Sequence, residues 1–186
     1  FDCERVSMPS HELRNKLLTE SKRVVVKLGT QLLTRKDGAG LDHAYLASLA
    51  SQVAQLIDEG REVTLVSSGA IGAGCAAMGL TQRPTDLSEQ QAVAAVGQRG
   101  LMTAMYEAFA KHNLAVGQVL VTRTDFEDRD RFLNIRNCIT KLHEMRAVAI
   151  LNENDTVAVD ELRFGDNDML AAMTCNALRA DTLVLL

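Results

Sequence analysis

Cysteine is sparse and scattered in this chain of 186 residues. Cys3, Cys75, Cys138 and Cys175 form no CxxC pair and no zinc-ligand spacing with the four histidines. Cys75, Cys138 and Cys175 fall inside helical patterns, so buried free thiols in a reducing, cytoplasmic setting are expected. Positive charge is not in excess: 20 Lys and Arg stand against 24 Asp and Glu, for a net charge of −4 and a pI near 5.6. With no basic stripe, nucleic acid is not expected as a partner. Uninterrupted apolar runs of membrane-spanning length are missing, and so is a signal-peptide core at the N-terminus. Repeats and low-complexity tracts are absent too. What is present is 47% hydrophobic residues, enough for one domain with a real core.

The apolar residues alternate between two periods. KRVVVKL (22–28), EVTLVS (62–67), AVGQVLV (115–121), AVAIL (147–151) and TLVLL (182–186) read as strands. Helices are predicted over 10–20 and 42–59, the latter capped by Asp42 and stopped by Gly60. Further helices are predicted over 70–78, closed by Gly79, and from Ser88 to about 112, with Ser88 and Gln91 as a capping box. The last two are predicted over 131–145 and from Asp166 or Asp168 to 178. Between them, EDRDR (127–131) reads as a solvated charged loop, and 157–164 as a hairpin turning at Asp160–Glu161. Strands alternating with helices imply an α/β fold: an open, mostly parallel sheet with helices on both faces. Residues 1–21 form a lead-in and 22–186 the folded unit. The last strand ends the chain at Leu186, so the sequence is expected to be part of a larger domain.

In such sheets ligands sit beyond the carboxyl ends of the strands. Three polar or glycine-rich stretches fall there: KLGT (27–30), SSGAIGAG (67–74) and NENDTV (152–157). SSGAIGAG matches neither the dinucleotide fingerprint nor the P-loop. It offers two hydroxyls and a glycine opening a helix, which suits an anion or a tight strand–helix junction equally. Lys27 stands in a strand otherwise built for burial. An isolated lysine there would snorkel to solvent, but one beside an anion-friendly loop points to a phosphate. Asn152, Asn154, Asp155, Asp166, Asn167 and Asp168 crowd into seventeen residues, more than turn chemistry alone requires. They suit a substrate ammonium, a lysine or a magnesium ion. The histidines receive no role. Apolar residues around much of the 88–112 helix, including Val93, Val96 and Phe109, suit core first and an oligomer interface second.

Taken together, VVVKLGT, VSSGAIGAG, QAVAAVGQRGLM, VLVTRTDFEDRDRFLN, LNENDTV and FGDNDML resemble glutamate 5-kinases of the amino-acid kinase family, from about residue 22 to 186. The resemblance implies a three-layer sandwich whose nucleotide-binding half lies beyond residue 186. It implies ATP- and Mg2+-dependent phosphorylation of the γ-carboxylate of L-glutamate, feedback inhibition by proline, and a homo-oligomer. It makes Lys27 the phosphate-contacting lysine and Asp168 the residue that organises the catalytic lysine. Ser68, Asp155 and Asn167 would bind glutamate, with Asn152 beside them. Gly29 and Gly69 would offer backbone N–H groups to the phosphoryl group. Three other readings compete. A sibling kinase for acetylglutamate or aspartate would reuse the glycine loops. A non-catalytic amino-acid-binding module would have no use for Lys27 and Asp168. A dinucleotide-dependent oxidoreductase lacks its glycine spacing.

Overall fold

The computed structural model describes residue 15 and residues 18–35, 40–158 and 167–186. The strands are β1 (Arg23–Leu28), β2 (Glu62–Ser67), β3 (Val116–Val121), β4 (Val148–Glu153) and β5 (Thr182–Leu185). All pair in parallel, in the order β3-β4-β2-β1-β5. The helices are α1 (Thr30–Leu33), α2 (His43–Asp58), α3 (Ala70–Met78), α4 (Leu87–Ala110), α5 (Arg123–Glu127), α6 (Arg129–Glu144) and α7 (Asp168–Leu178). Residues 15 and 18–20 are helical, within the expected lead-in helix.

Each buried strand serves two cores, because alternate side chains point to opposite faces. Val24, Val26 and Leu28 of β1 join Leu65 of β2 and Ile150 of β4 against Leu46, Leu49 and Val53 of α2 and Leu101, Met105 and Phe109 of α4. Val25, Val66, Ala149 and Leu151 face the other way, against Ile139 of α6 and Leu170, Ala171 and Leu178 of α7. Each fully buried Leu or Phe adds roughly 1.5–3 kcal/mol. Both cores draw on the same strands, which is why their sequences read as continuous apolar runs. The apolar stripe of α4 is core as expected, with Val93, Leu101, Met105 and Phe109 buried, but Val96 is exposed.

Helices α3 and α4 pack almost backbone to backbone. A Cβ on Gly74 would lie 2.0 Å from Val93 O, and one on Gly97 would lie 1.8 Å from Ala70 O. Gly69 does a different job: it takes φ 98° as N-cap of α3, a conformation that favours glycine. Within SSGAIGAG, Gly69 thus serves a turn and Gly74 a helix crossing.

Several local expectations need correction. Asp86, not Ser88, caps α4: its carboxylate accepts from Glu89 N, while Ser88 Oγ donates to that carboxylate. An acidic side chain already in the N-cap geometry takes the role, and Ser88 is drawn into the first turn. EDRDR is not loop. Thr122 and Asp125 form a capping box that starts α5, and Asp128 accepts from Asp130 N and Arg131 N to start α6. The charged stretch thus holds the end of α5 at Glu127 and, through the Asp128 cap, the start of α6 at Arg129. Helix α7 is capped by neither Asp166 nor Asp168. Asn167 holds the N-cap position and Asp168 is the first helical residue, and Asp166 lies outside the described residues. Strand β4 runs two residues longer than its apolar core, taking in Asn152 and Glu153 through pairing with β3. The three cysteines among the described residues are free, but Cys138 is exposed and Cys75 and Cys175 are half-buried. Cys138 sits on the solvent side of α6, whose buried contribution is Ile139. Of the expected 157–164 hairpin, Val157 is in a turn and residues 159–164 lie outside the described residues.

At the amino end of the sheet a polar cluster ties the layers together. Arg23 Nε donates to Glu62 Oε2 at 2.5 Å, and Arg23 also reaches the carbonyl of Leu178 at the end of α7. Asp181 accepts from the backbone N–H groups of Lys22 and Arg23. The buried His143 ring, on α6, lies 2.9 Å from Thr64 Oγ1 and 3.5 Å from Glu62 Oε2. Burial holds the His143 pKa below the usual imidazole range, outweighing the nearby Glu62 carboxylate. The Arg23 hydrogen bond holds Glu62 below the usual carboxylate range. Both groups therefore take up protons at lower pH folded than unfolded. Stability is full above about pH 6.5 and falls as pH drops, first through the histidine and then through the carboxylate. His143→Gln is expected to flatten the part of this loss that begins just below about pH 6.5, read as denaturation midpoints at stepped pH. An unchanged slope there would remove His143 as the cause.

Candidate active site

Lys27 is the next-to-last residue of β1, in register with Val66 of β2 and Leu185 of β5. It follows Val25 on the face that packs against α7. Its side chain is only 6% exposed, and its Nζ lies 2.9 Å from Asp168 Oδ1, at the first residue of α7. Strand alternation brings the lysine to that face, and the start of α7 brings a carboxylate to meet it. A buried ammonium is costly without a partner. Asp168, whose side chain is 56% exposed, supplies one while keeping a side open to ligand.

Beside this pair runs a chain of side-chain amides linking four elements. Glu153 N donates to Asn152 Oδ1 at 2.9 Å, and Asn152 Nδ2 donates to Gln98 Oε1, on α4, at 2.7 Å. Asn167 Nδ2 donates to Asn152 Oδ1 at 2.7 Å and to the carbonyl of Ser67. Asn167 thus spends its side chain on the ends of β2 and β4 rather than on capping its own helix. At this edge two buried atoms, Ser68 Oγ and Gln98 Nε2, have no hydrogen-bond partner among the described residues. Each such group costs about 1–3 kcal/mol, a cost that a ligand can offset.

Asp155 follows β4 in a turn. Burial pushes its pKa above the usual carboxylate range, with Arg83 acting in the opposite direction. Gly69 precedes α3, which has no side-chain cap, so its first-turn N–H groups have no side-chain acceptor. Gly29 departs from expectation. Its N–H donates to Leu186 O at 3.0 Å, extending the β1–β5 pairing by one step, so in this structure it is not available to an anion. The structure therefore gathers Lys27, Asp168, Ser68, Asn152 and Asn167 at one edge. Gln98 is a member that sequence reasoning missed. The QAVAAVGQRGLM stretch gave no sign of it, because a glutamine in a long amphipathic helix looks like any solvated polar residue. A cavity of about 520 Å³ opens alongside, lined by Thr122, Arg123, Asp125, Glu153 and Asn154 among others, and does not include the Lys27–Asp168 pair.

A parallel sheet with helices on both faces and a buried lysine meeting a carboxylate at its carboxyl edge defines an open-sheet α/β domain. Residues 22–186 match the model of the amino acid kinase family, and the chain belongs to that family. It is 47% identical over 170 residues to a glutamate 5-kinase of Paraburkholderia phytofirmans, and 46% identical over 170 residues to one of Burkholderia thailandensis. Each alignment takes in 91% of this chain and 45% of the relative, so the chain spans about half the length of these relatives. Among solved structures it resembles a UMP kinase from Bacillus anthracis, with a TM-score of 0.58 and 15% identity, over 89% of this chain and 64% of the other. That likeness concerns the fold.

Proposed function

We propose that this chain carries the amino-acid-binding part of an ATP-dependent kinase that phosphorylates the γ-carboxylate of L-glutamate, giving γ-glutamyl phosphate for proline biosynthesis. The observation that carries the reading is the Lys27–Asp168 pair, 2.9 Å apart at the carboxyl edge of the sheet. A carboxylate nucleophile is already ionised at neutral pH, so no strong base is needed. The task is to bring two anions together and to neutralise charge spreading over the phosphoryl oxygens. Lys27 does the neutralising, held in place by Asp168, and the first-turn N–H groups after Gly69 add donors.

Ser68, Asn152, Asn167 and Asp155 hold the glutamate. Asp155 suits the substrate ammonium, because a cation there offsets the burial that disfavours its ionised form. ATP supplies the phosphoryl group, with Mg2+ screening its phosphates. Among the described residues no three metal-ligating side chains come together, so the ion is proposed to ride on the nucleotide. No helix among the described residues is long and apolar enough to cross a membrane. A cytoplasmic homo-oligomer inhibited by proline completes the proposal.

Calorimetric titration of the full-length gene product tests the amino-acid site. Saturable heat is expected with L-glutamate and not with N-acetyl-L-glutamate, which lacks the ammonium. Asp155→Ala should weaken glutamate binding at least about tenfold, the loss of one hydrogen bond to a charged group. Equal heats for the two ligands would sink the assignment.

A further inference from the structure

The amide chain at the site edge has a direction, and the direction predicts what it binds. A backbone N–H can only donate, so Asn152 must present Oδ1 to Glu153 N. Its Nδ2 is then committed to Gln98 Oε1, which leaves Gln98 Nε2 as the far end, a donor buried with no acceptor. In the other direction, Asn167 gives its Nδ2 to Asn152 Oδ1 and to the carbonyl of Ser67. Its Oδ1 accepts no hydrogen bond among the described residues. One backbone N–H thus polarises three amides: the α4 end of the network offers a donor, and the α7 end offers an acceptor.

We propose that Gln98 is a further substrate-contacting residue, its Nε2 donating to the α-carboxylate of the amino-acid substrate while Asn167 Oδ1 accepts from the α-ammonium. The network is then a template for a zwitterion, with donor and acceptor placed for the two charged groups that every α-amino acid carries. The proposal rests on the amino-acid kinase reading given above and adds a specificity residue to it. Ser68 Oγ, also buried and without a partner, is a second group that the same ligand would satisfy.

The test is steady-state kinetics of the full-length gene product with L-glutamate and with L-isoglutamine, which keeps the γ-carboxylate but replaces the α-carboxylate by a carboxamide. The wild-type protein is expected to prefer L-glutamate by about ten- to a hundredfold in kcat/KM. Gln98→Glu keeps an acceptor for Asn152 Nδ2 but removes the donor. It should raise the KM for L-glutamate about ten- to a hundredfold while the KM for ATP stays within about twofold. The preference for L-glutamate should collapse or invert, since a carboxamide can donate to the introduced carboxylate. Gln98→Met, which removes the donor without adding charge, should also abolish most of the preference. A residue serving packing alone would weaken both substrates alike, so an unchanged preference in both variants overturns the proposal. So does a wild-type protein that phosphorylates L-glutamate yet does not distinguish L-isoglutamine. A wild-type protein inactive on L-glutamate overturns the kinase reading itself, and this inference with it.

Discussion

Replacing Lys27 by alanine in the full-length gene product is expected to lower kcat by two to three orders of magnitude, about 2.7–4 kcal/mol of transition-state stabilisation. The KM for L-glutamate should stay within about threefold. The split follows from geometry. Lys27 reaches its position from β1 and meets Asp168, whereas the groups proposed to hold glutamate hang from the ends of β2 and β4 and the start of α7. Charge is redistributed along the transfer axis only in the transition state, and Lys27 is proposed to meet the phosphoryl group and not the amino acid, so its loss should affect turnover more than glutamate affinity. Rapid-quench and steady-state measurements separate the two. An unchanged kcat would remove Lys27 from the mechanism. Asp168→Asn should cost less, since Asp168 acts through the lysine.

The second large effect concerns folding. Gly97→Ala and Gly100→Ala place the same methyl group on the same helix three residues apart, and opposite outcomes are expected. At Gly97 the new Cβ would sit 1.8 Å from Ala70 O and 2.3 Å from Gly74 N, both backbone atoms that no side-chain rotation can move. Helices α3 and α4 must separate, at a cost of about 3 kcal/mol or more. Against a typical total stability of 5–15 kcal/mol, that is enough to threaten folding outright. At Gly100 nothing lies within 4 Å, and alanine there should stabilise by about 0.5–1 kcal/mol through helix propensity. Urea denaturation of the two variants decides the matter. A neutral Gly97→Ala would mean that the helix crossing is not as close as described.

Much of the fold was legible because its signals are local. Five apolar strand segments and the helix patterns between them announced a parallel α/β sheet. Asp42 and Gly60 bounded α2 as read: the Asp42 carboxylate accepts from Tyr45 N, and Gly60 takes φ 85°. The boundaries that failed were those where neighbouring side chains compete for the same orphan N–H groups. Asp86 displaced Ser88, and Asn167 took the place expected of Asp166 or Asp168. Strand β4 outran its apolar core because β3 continues to pair with it through Glu153, and pairing partners are not written in a strand's own sequence.

The candidate site divides in the same way. That Lys27, Ser68, Asn152, Asn167 and Asp168 share an edge followed from the rule that ligands sit beyond the carboxyl ends of parallel strands. That Lys27 meets Asp168, that the Gly29 N–H is taken by Leu186, and that Gln98 belongs to the network all depend on which elements neighbour one another.

By itself, then, the sequence determined the type and order of the elements, the two-sided burial of the strands and the edge where polar groups collect. These depend on periods of 2 and 3.6 residues and on residues adjacent in the chain. Only the tertiary structure decided which side chains face each other across that edge and which glycines are needed for packing. Those contacts join residues far apart in the chain, and their energies depend on distances of a few ångströms that no local pattern encodes.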